Sequence, residues 1–426
     1  MAEGFITRKG GAAPLEISGQ QVITGEYAET IAKFDTVFAN FIPEVPGDSQ
    51  WDTSITQLSQ PDILPPNTVF DVSFSPNDTY MAVGHVGSPF LSIYKRDGDT
   101  FTKLDNPDTL PPQFGNVNGI AFSKDGNYLS AVFGVTPFIH IYKRDGDTFT
   151  KLPNPSSLPT SISNDTEFSP DGNYLVVAMA DNPRLVFYKR DGDTFTKLPN
   201  PSILPTDSAL SASFSPNSDY LAIGHQASPF VTIYKRDGDT FTKLANPNIL
   251  PTNRARGVDF SPDGTYLSVA HDNSPFVTIY KRDGDTFTKL PNPSVLPPDD
   301  GLSTSFSNDN NYLAVGYRFT DFFTIYKRNG DIFTKITTPT SDFFFPNGNS
   351  VKFSNNSIYL SVGWNREPYL FLYKTTSSAE IPAYTEIVKA NNLLTLPENI
   401  TNAGYALEDG TEGQEKTMMS LFRTEE

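Results

Sequence analysis

FVTIYKRDGDTFTKL, at Phe230–Leu244, decides the fold, because most of it recurs almost verbatim along the chain. Its Tyr stands at 94, 142, 188, 234, 280, 326 and 373, in steps of 48, 46, 46, 46, 46 and 47 residues. A second marker, Phe followed by Ser, falls at Phe74, Phe122, Phe168, Phe214, Phe260, Phe306 and Phe353 with the same steps. Two markers in phase define seven repeat units. Each unit reads as four short strands. The first, as in Val258–Ser261, closes on SPDG or SPND. The second is Tyr80–His85 or Tyr266–His271, and the third is Phe230–Arg236. Asp-Gly or Asn-Gly then leads into TFTKL, and this dipeptide between alternating apolar runs marks a tight hairpin because both central residues need positive φ.

In the third strand Phe90 and Tyr94 point one way and Leu91 and Ile93 the other, so each sheet is apolar on both faces and must be covered on both. Ala82 and Gly84, beside the larger Met81 and Val83, allow a neighbouring sheet to come close. Four-stranded antiparallel sheets stacked radially describe an all-β, seven-bladed β-propeller. It occupies residues 51–374, with non-repeat flanks at 1–50 and 375–426. Two segments compete to complete the last blade: ITQL at Ile55–Leu58 and YTEI at Tyr384–Ile387. The spacing favours the first, because eleven residues separate Tyr373 from Tyr384 where seven separate the equivalent residues inside the array. Closure by the N-terminal strand removes an exposed sheet edge.

The units resemble WD40-like repeats of the YVTN type, a likeness carried by SPDGTYLSVAH and FVTIYKRDGDTF across roughly residues 55–374. Tyr-Lys (Tyr94-Lys95, Tyr280-Lys281) stands where that family has Trp-Asp, and Gly84-His85 ends the second strand instead of preceding the first. The hydrogen-bond network of true WD40 blades is therefore not carried over. The tail Gly404–Phe422 (GYALEDGTEGQEKTMMSLF) and the AEGFI opening resemble segments of phage capsid-decoration and tail proteins. The repeat wording is similar to that of proteins from Gram-positive bacteria and their prophages. The resemblance implies a virion component, assembled in the host cytoplasm, attached to other capsid or tail proteins through residues 1–50 and 375–426.

Composition excludes several classes. The chain of 426 residues has a net charge of −17 and pI near 4.7, which lacks the basic footprint of a nucleic-acid binder. It has no cysteine, so disulfides, thiolate metal sites and cysteine nucleophiles are absent. No apolar run approaches the ~18 residues of a spanning helix, and the N-terminus carries no signal-like apolar stretch, so neither membrane insertion nor a signal peptide is expected. The flanks hold much of the acidity, seven acids against three bases in 1–50 and nine against three in 375–426. Ile31, Phe34, Phe38 and Phe41 are spaced for one face of a helix over about 27–40. Ring closure brings the flanks together, which suits one joint anchoring module.

Candidate chemistry is sparse. The position of His85 holds Phe133, Met179, His225, His271, Tyr317 and Trp364 in the other units, which marks a packing site, and His140 has no partner at metal-ligand spacing. The Asp97-Gly98-Asp99 turns lack a calcium-loop ligand series and are explained by turn chemistry. No nucleophile-elbow, P-loop or dinucleotide-binding motif occurs. Asp181, Asp299 and Asp300 are the candidates for a catalytic site in a channel mouth, and solvated loop carboxylates explain them equally. No enzyme activity, cofactor or metal is expected.

Variation between units is more informative. Loops following the second and fourth strands differ freely on one face, while the turns on the other face repeat. On the variable face Arg254 and Arg256 enter the fifth blade, Tyr317, Arg318 and Phe319 leave the sixth, and Trp364, Asn365 and Arg366 leave the seventh. Aromatic faces beside guanidinium and amide groups suit a host-surface glycan or an acidic protein segment. The bland alternative has Tyr317 and Trp364 filling a rim position and the arginines pairing with Asp299, Asp300 or Glu367. The expected function is a non-enzymatic binding or structural protein of a phage virion. A bacterial protein- or glycan-binding propeller without a virion role, and a propeller hydrolase or lactonase, are the alternatives.

Overall fold

The computed structural model describes residues 49–319, 322–339 and 347–376, and outside them the backbone of the short strands Gly4–Ile6, Leu15–Ile17, Val22–Thr24, Val388–Lys389, Leu393–Thr395, Tyr405–Glu408 and Thr417–Ser420. The chain divides into two units, Asp48–Ser377 and a second formed by Met1–Gly47 with Ser378–Glu426. The helix expected over 27–40 and the segment 384–387 lie outside the described residues.

The larger unit is a seven-bladed propeller of four-stranded antiparallel sheets. Blade 1 contains Val69–Phe74, Tyr80–His85, Leu91–Asp97 and Thr100–Lys103 in that spatial order. Blades 2 to 6 repeat the pattern from Val117, Ser163, Ala209, Ala255 and Gly301. Blade 7 takes Gly348–Phe353, Tyr359–Trp364 and Leu370–Lys374 from the end of the array and its fourth strand, Thr56–Gln57, from the beginning. There Gln57 faces Tyr373 and Thr56 faces Lys374. First strands of neighbouring blades pack side by side round a central channel, with Gly348–Phe353 against Val69–Phe74 completing the ring.

Burial explains why the sheets are apolar on both faces. The core is divided into wedges between blades. One holds Tyr80, Ala82, Leu91 and Ile93 of blade 1 against Val117, Ile120, Leu129 and Tyr142 of blade 2. Gly84 makes the close approach possible, since a Cβ there would lie 2.7 Å from Val117 Cγ1. The tyrosine that marks each repeat is buried, and Tyr94 donates its hydroxyl to the connection before its blade, at the Ile63 carbonyl 2.8 Å away.

The DGD turns do more than reverse the chain. The second Asp of each turn locks onto the preceding blade. Asp147 accepts a hydrogen bond from the Tyr80 hydroxyl at 2.5 Å and pairs with Lys95 at 2.8 Å. Asp193, Asp239, Asp285 and Asp331 repeat this with Tyr128/Lys143, Tyr174/Lys189, Tyr220/Lys235 and Tyr266/Lys281. The Arg of KRDGD lies over that same tyrosine ring, Arg144 Cζ being 5.1 Å from the Tyr80 centroid. At the closure the latch on Tyr312 and Lys327 is made by Asp52, at 2.5 and 2.6 Å, from the N-terminal segment. Beside it Trp51 is fully buried, stands edge-on to Phe353, and donates its indole N–H to the Ser357 carbonyl at 2.8 Å.

In the second unit, Val22–Thr24 pairs antiparallel with Leu393–Thr395, which pairs with Val388–Lys389. Both ends of the chain thus contribute to one small sheet. Gly4–Ile6 pairs with Leu15–Ile17, and Tyr405–Glu408 with Thr417–Ser420.

Candidate functional site

The variable-face residues do not form one open patch. Arg254 and Arg256 converge on Asp272, the Arg256 Nε lying 2.6 Å from its carboxylate and Arg254 closer still. That carboxyl is held below its ordinary value: burial works against it and the two guanidinium hydrogen bonds override burial. Arg318 pairs with Asp300 at 3.2 Å, and Asn365 Oδ1 accepts the Asn347 N–H at 3.1 Å. Two expected ligand contacts need correcting. Tyr317 and Trp364 are fully buried, so their rings present no face to a ligand. Trp364 packs on Phe322 and Phe371 at centroid distances of 5.3 and 5.0 Å. The end of every second strand turns inward here, and His85, His225 and His271 are buried at the same position with Nε2 hydrogen-bonded to Ser92, Thr232 and Thr278. Of the expected ligand contacts, those left exposed are Phe319, at 41%, and Arg366, with Arg318 partly open. Near Arg366, Leu64, Pro65, Pro66, Glu367 and Tyr369 line a shallow hollow of about 290 Å³.

A site that the repeat reading passed over lies in the central channel, which holds a cavity of about 140 Å³. Each first strand has a sheet partner on one side only, so its channel-side N–H groups need other acceptors. Side chains of the preceding blade supply them. Ser73 accepts from Phe122 N–H at 3.2 Å, Ser213 from Phe260 at 3.1 Å and Ser305 from Phe353 at 3.2 Å. Asp259 takes the same place and accepts from Phe306 at 2.7 Å, and two residues earlier in their strands Asp71 accepts from Ile120 at 2.9 Å and Asp165 from Ala212 at 2.8 Å. Serine is sufficient for capping, so the charge these aspartates bring is additional. Glu167 and Lys352 occupy the equivalent register, and their side chains cap no strand among the described residues.

All five ionisable groups are half-buried, and all but Asp259 line the channel cavity. Burial pushes Glu167 up to about 7 and Asp259 up to about 6, against the attraction of Lys352. Asp71 is raised by burial, and Asp165 is raised further by burial and the nearby Asp71 charge. Burial opposes the Lys352 charge, but the four carboxylates override it and keep the ammonium protonated. Among the described residues no group of His, Asp or Glu is placed to hold a metal ion, and no helix is long and apolar enough to cross a membrane.

No protein-family model matches the chain, and no curated protein matches it in sequence. The described architecture is that of a seven-bladed β-propeller. Among solved structures, Kuenenia stuttgartiensis hydrazine synthase is similar, with a TM-score of 0.56 and 14% identity over 76% of this chain and 99% of that one. At that identity the likeness speaks for the fold alone.

Proposed function

We propose that the chain is a non-enzymatic phage virion protein, of capsid or tail, which displays a propeller as a surface-binding module and is anchored through its terminal unit. The observation that carries the binding reading is the asymmetry of the ring. One face is built from near-identical latched turns, whereas the other exposes loops that differ from blade to blade and includes Phe319 and Arg366. The similarity of the tail to phage decoration and tail proteins, and the sheet shared by the two chain ends, support anchoring. The partner that suits an exposed phenylalanine beside Arg318 and Arg366 is an acidic glycan or protein of the host surface.

A catalytic use of the channel is the second reading, favoured by Glu167, which lines the cavity and is pushed up to about 7 by burial, and by Asp259, pushed up to about 6. It is weakened because those two carboxyls share no hydrogen bond among the described residues.

Purified Gram-positive cell walls provide the test. The triple variant Arg318→Ala, Phe319→Ala and Arg366→Ala should lose at least about tenfold in affinity while melting as the parent does. Unchanged binding would remove this face from the account.

A further inference from the structure

We propose that the central channel is a proton-operated brace, in which Glu167 and Asp259 must carry protons for the seven first strands to hold together at full strength. The geometry is the starting point. Blade 1 presents Asp71 to the channel, blade 3 Asp165 and Glu167, blade 5 Asp259, and blade 7 Lys352. Blades 2, 4 and 6 place only uncharged residues at these positions, and Arg256, which also lines the cavity, is engaged by Asp272. Lys124, on the turn of blade 2, acts on Glu167 more weakly than Lys352 does. One ammonium therefore faces four carboxylates across the channel, three of which line the cavity with it. Full ionisation would leave three negative charges without a counterion on strands held side by side, and like charges at low effective dielectric repel strongly. Protons complete the neutralisation.

Glu167 rises from 4.5 to about 7 and Asp259 from 3.8 to about 6. For an acid raised in the folded state, the stabilising protonation is fully present below the ordinary value and is lost as pH climbs through the folded one. The window thus opens near pH 4 and closes near pH 7, and the propeller should be looser above it. The ion-paired latch aspartates, such as Asp147 and Asp193, are held below their ordinary value, so their contribution changes below this window and does not mask it.

The test uses the full chain, because its two tryptophans, Trp51 and Trp364, both lie in the propeller and are buried, so their fluorescence follows that unit alone. The melting temperature should fall by roughly 5 °C between about pH 5 and pH 8. Glu167→Gln with Asp259→Asn keeps side-chain volume, and the amide oxygen that replaces the Asp259 carboxylate can still accept the Phe306 N–H. That double variant should lose the share of the pH dependence that Glu167 and Asp259 supply, leaving the share of Asp71 and Asp165, and should melt above the parent at pH 8. Glu167→Gln alone should remove part of the fall, which covers the case of a double variant that folds poorly. A parent whose melting point does not fall over this range, or variants that retain the parent's full dependence, would overturn the brace.

Discussion

Replacing Lys352 by methionine should destabilise the propeller by about 3 kcal/mol at pH 8, because breaking a buried charge cluster by removing one sign leaves the other uncompensated. At pH 5 the loss should shrink to a fraction of that, since protonation of Glu167 and Asp259 supplies the neutralisation that the ammonium provided. Methionine keeps the apolar stem, so packing changes are minor. Urea unfolding followed by tryptophan fluorescence at the two pH values measures both numbers. An equal loss at pH 5 and pH 8 would show that Lys352 acts through packing instead of charge.

Removing the closing segment should have the largest effect of all. A chain starting at residue 48 retains the ring contacts described above, whereas one starting at residue 60 loses several at once. Ser49 no longer meets Asp309, whose carboxylate accepts its N–H at 2.8 Å. Trp51 leaves a fully buried site, Asp52 leaves Tyr312 and Lys327, and Tyr373 loses its strand partner Gln57. Loss of a buried tryptophan alone costs about 3–5 kcal/mol, and the bare edge of Leu370–Lys374 becomes a template for association. The shorter chain should unfold at much lower temperature and sediment as aggregates. If it melts like the longer one, closure by Thr56–Gln57 is wrong.

The repeat spacing makes the fold legible in the sequence alone, because two markers in phase leave few architectures open. The same regularity conceals other features. Asp99 and its copies read as turn residues, since a DGD hairpin explains them locally; their bonds to Tyr and Lys of the preceding blade are contacts between residues far apart in the chain. Asp52 performs the latch in different surroundings, so no repeat pattern reports it. The channel charges are visible as departures from Ser, Gly and Ala in the first strands, at Asp71, Asp165, Glu167, Asp259 and Lys352. Attention to the loops passes them by. A bulge in the first strand, between Val69 and Asp71 in blade 1, also shifts the alternation that would otherwise show which side chains face inward. Tyr317 and Trp364 look like loop aromatics because they end a strand, where sequence gives no sign that the chain turns its side chain into the core.

The central claim is that the propeller is displayed on a virion and held there by the unit built from both chain ends. It is tested most directly by co-sedimentation with capsids and tails. Full-length protein and the segment 48–377 are mixed separately with particles lacking the native copy. Because 48–377 includes its own closing strand, it should fold without the ends. The account predicts that the full chain pellets with the particles in a fixed stoichiometry and that 48–377 remains in the supernatant. Equal association of both would contradict anchoring by the terminal unit, and absence of association by the full chain with either particle part would contradict the virion role.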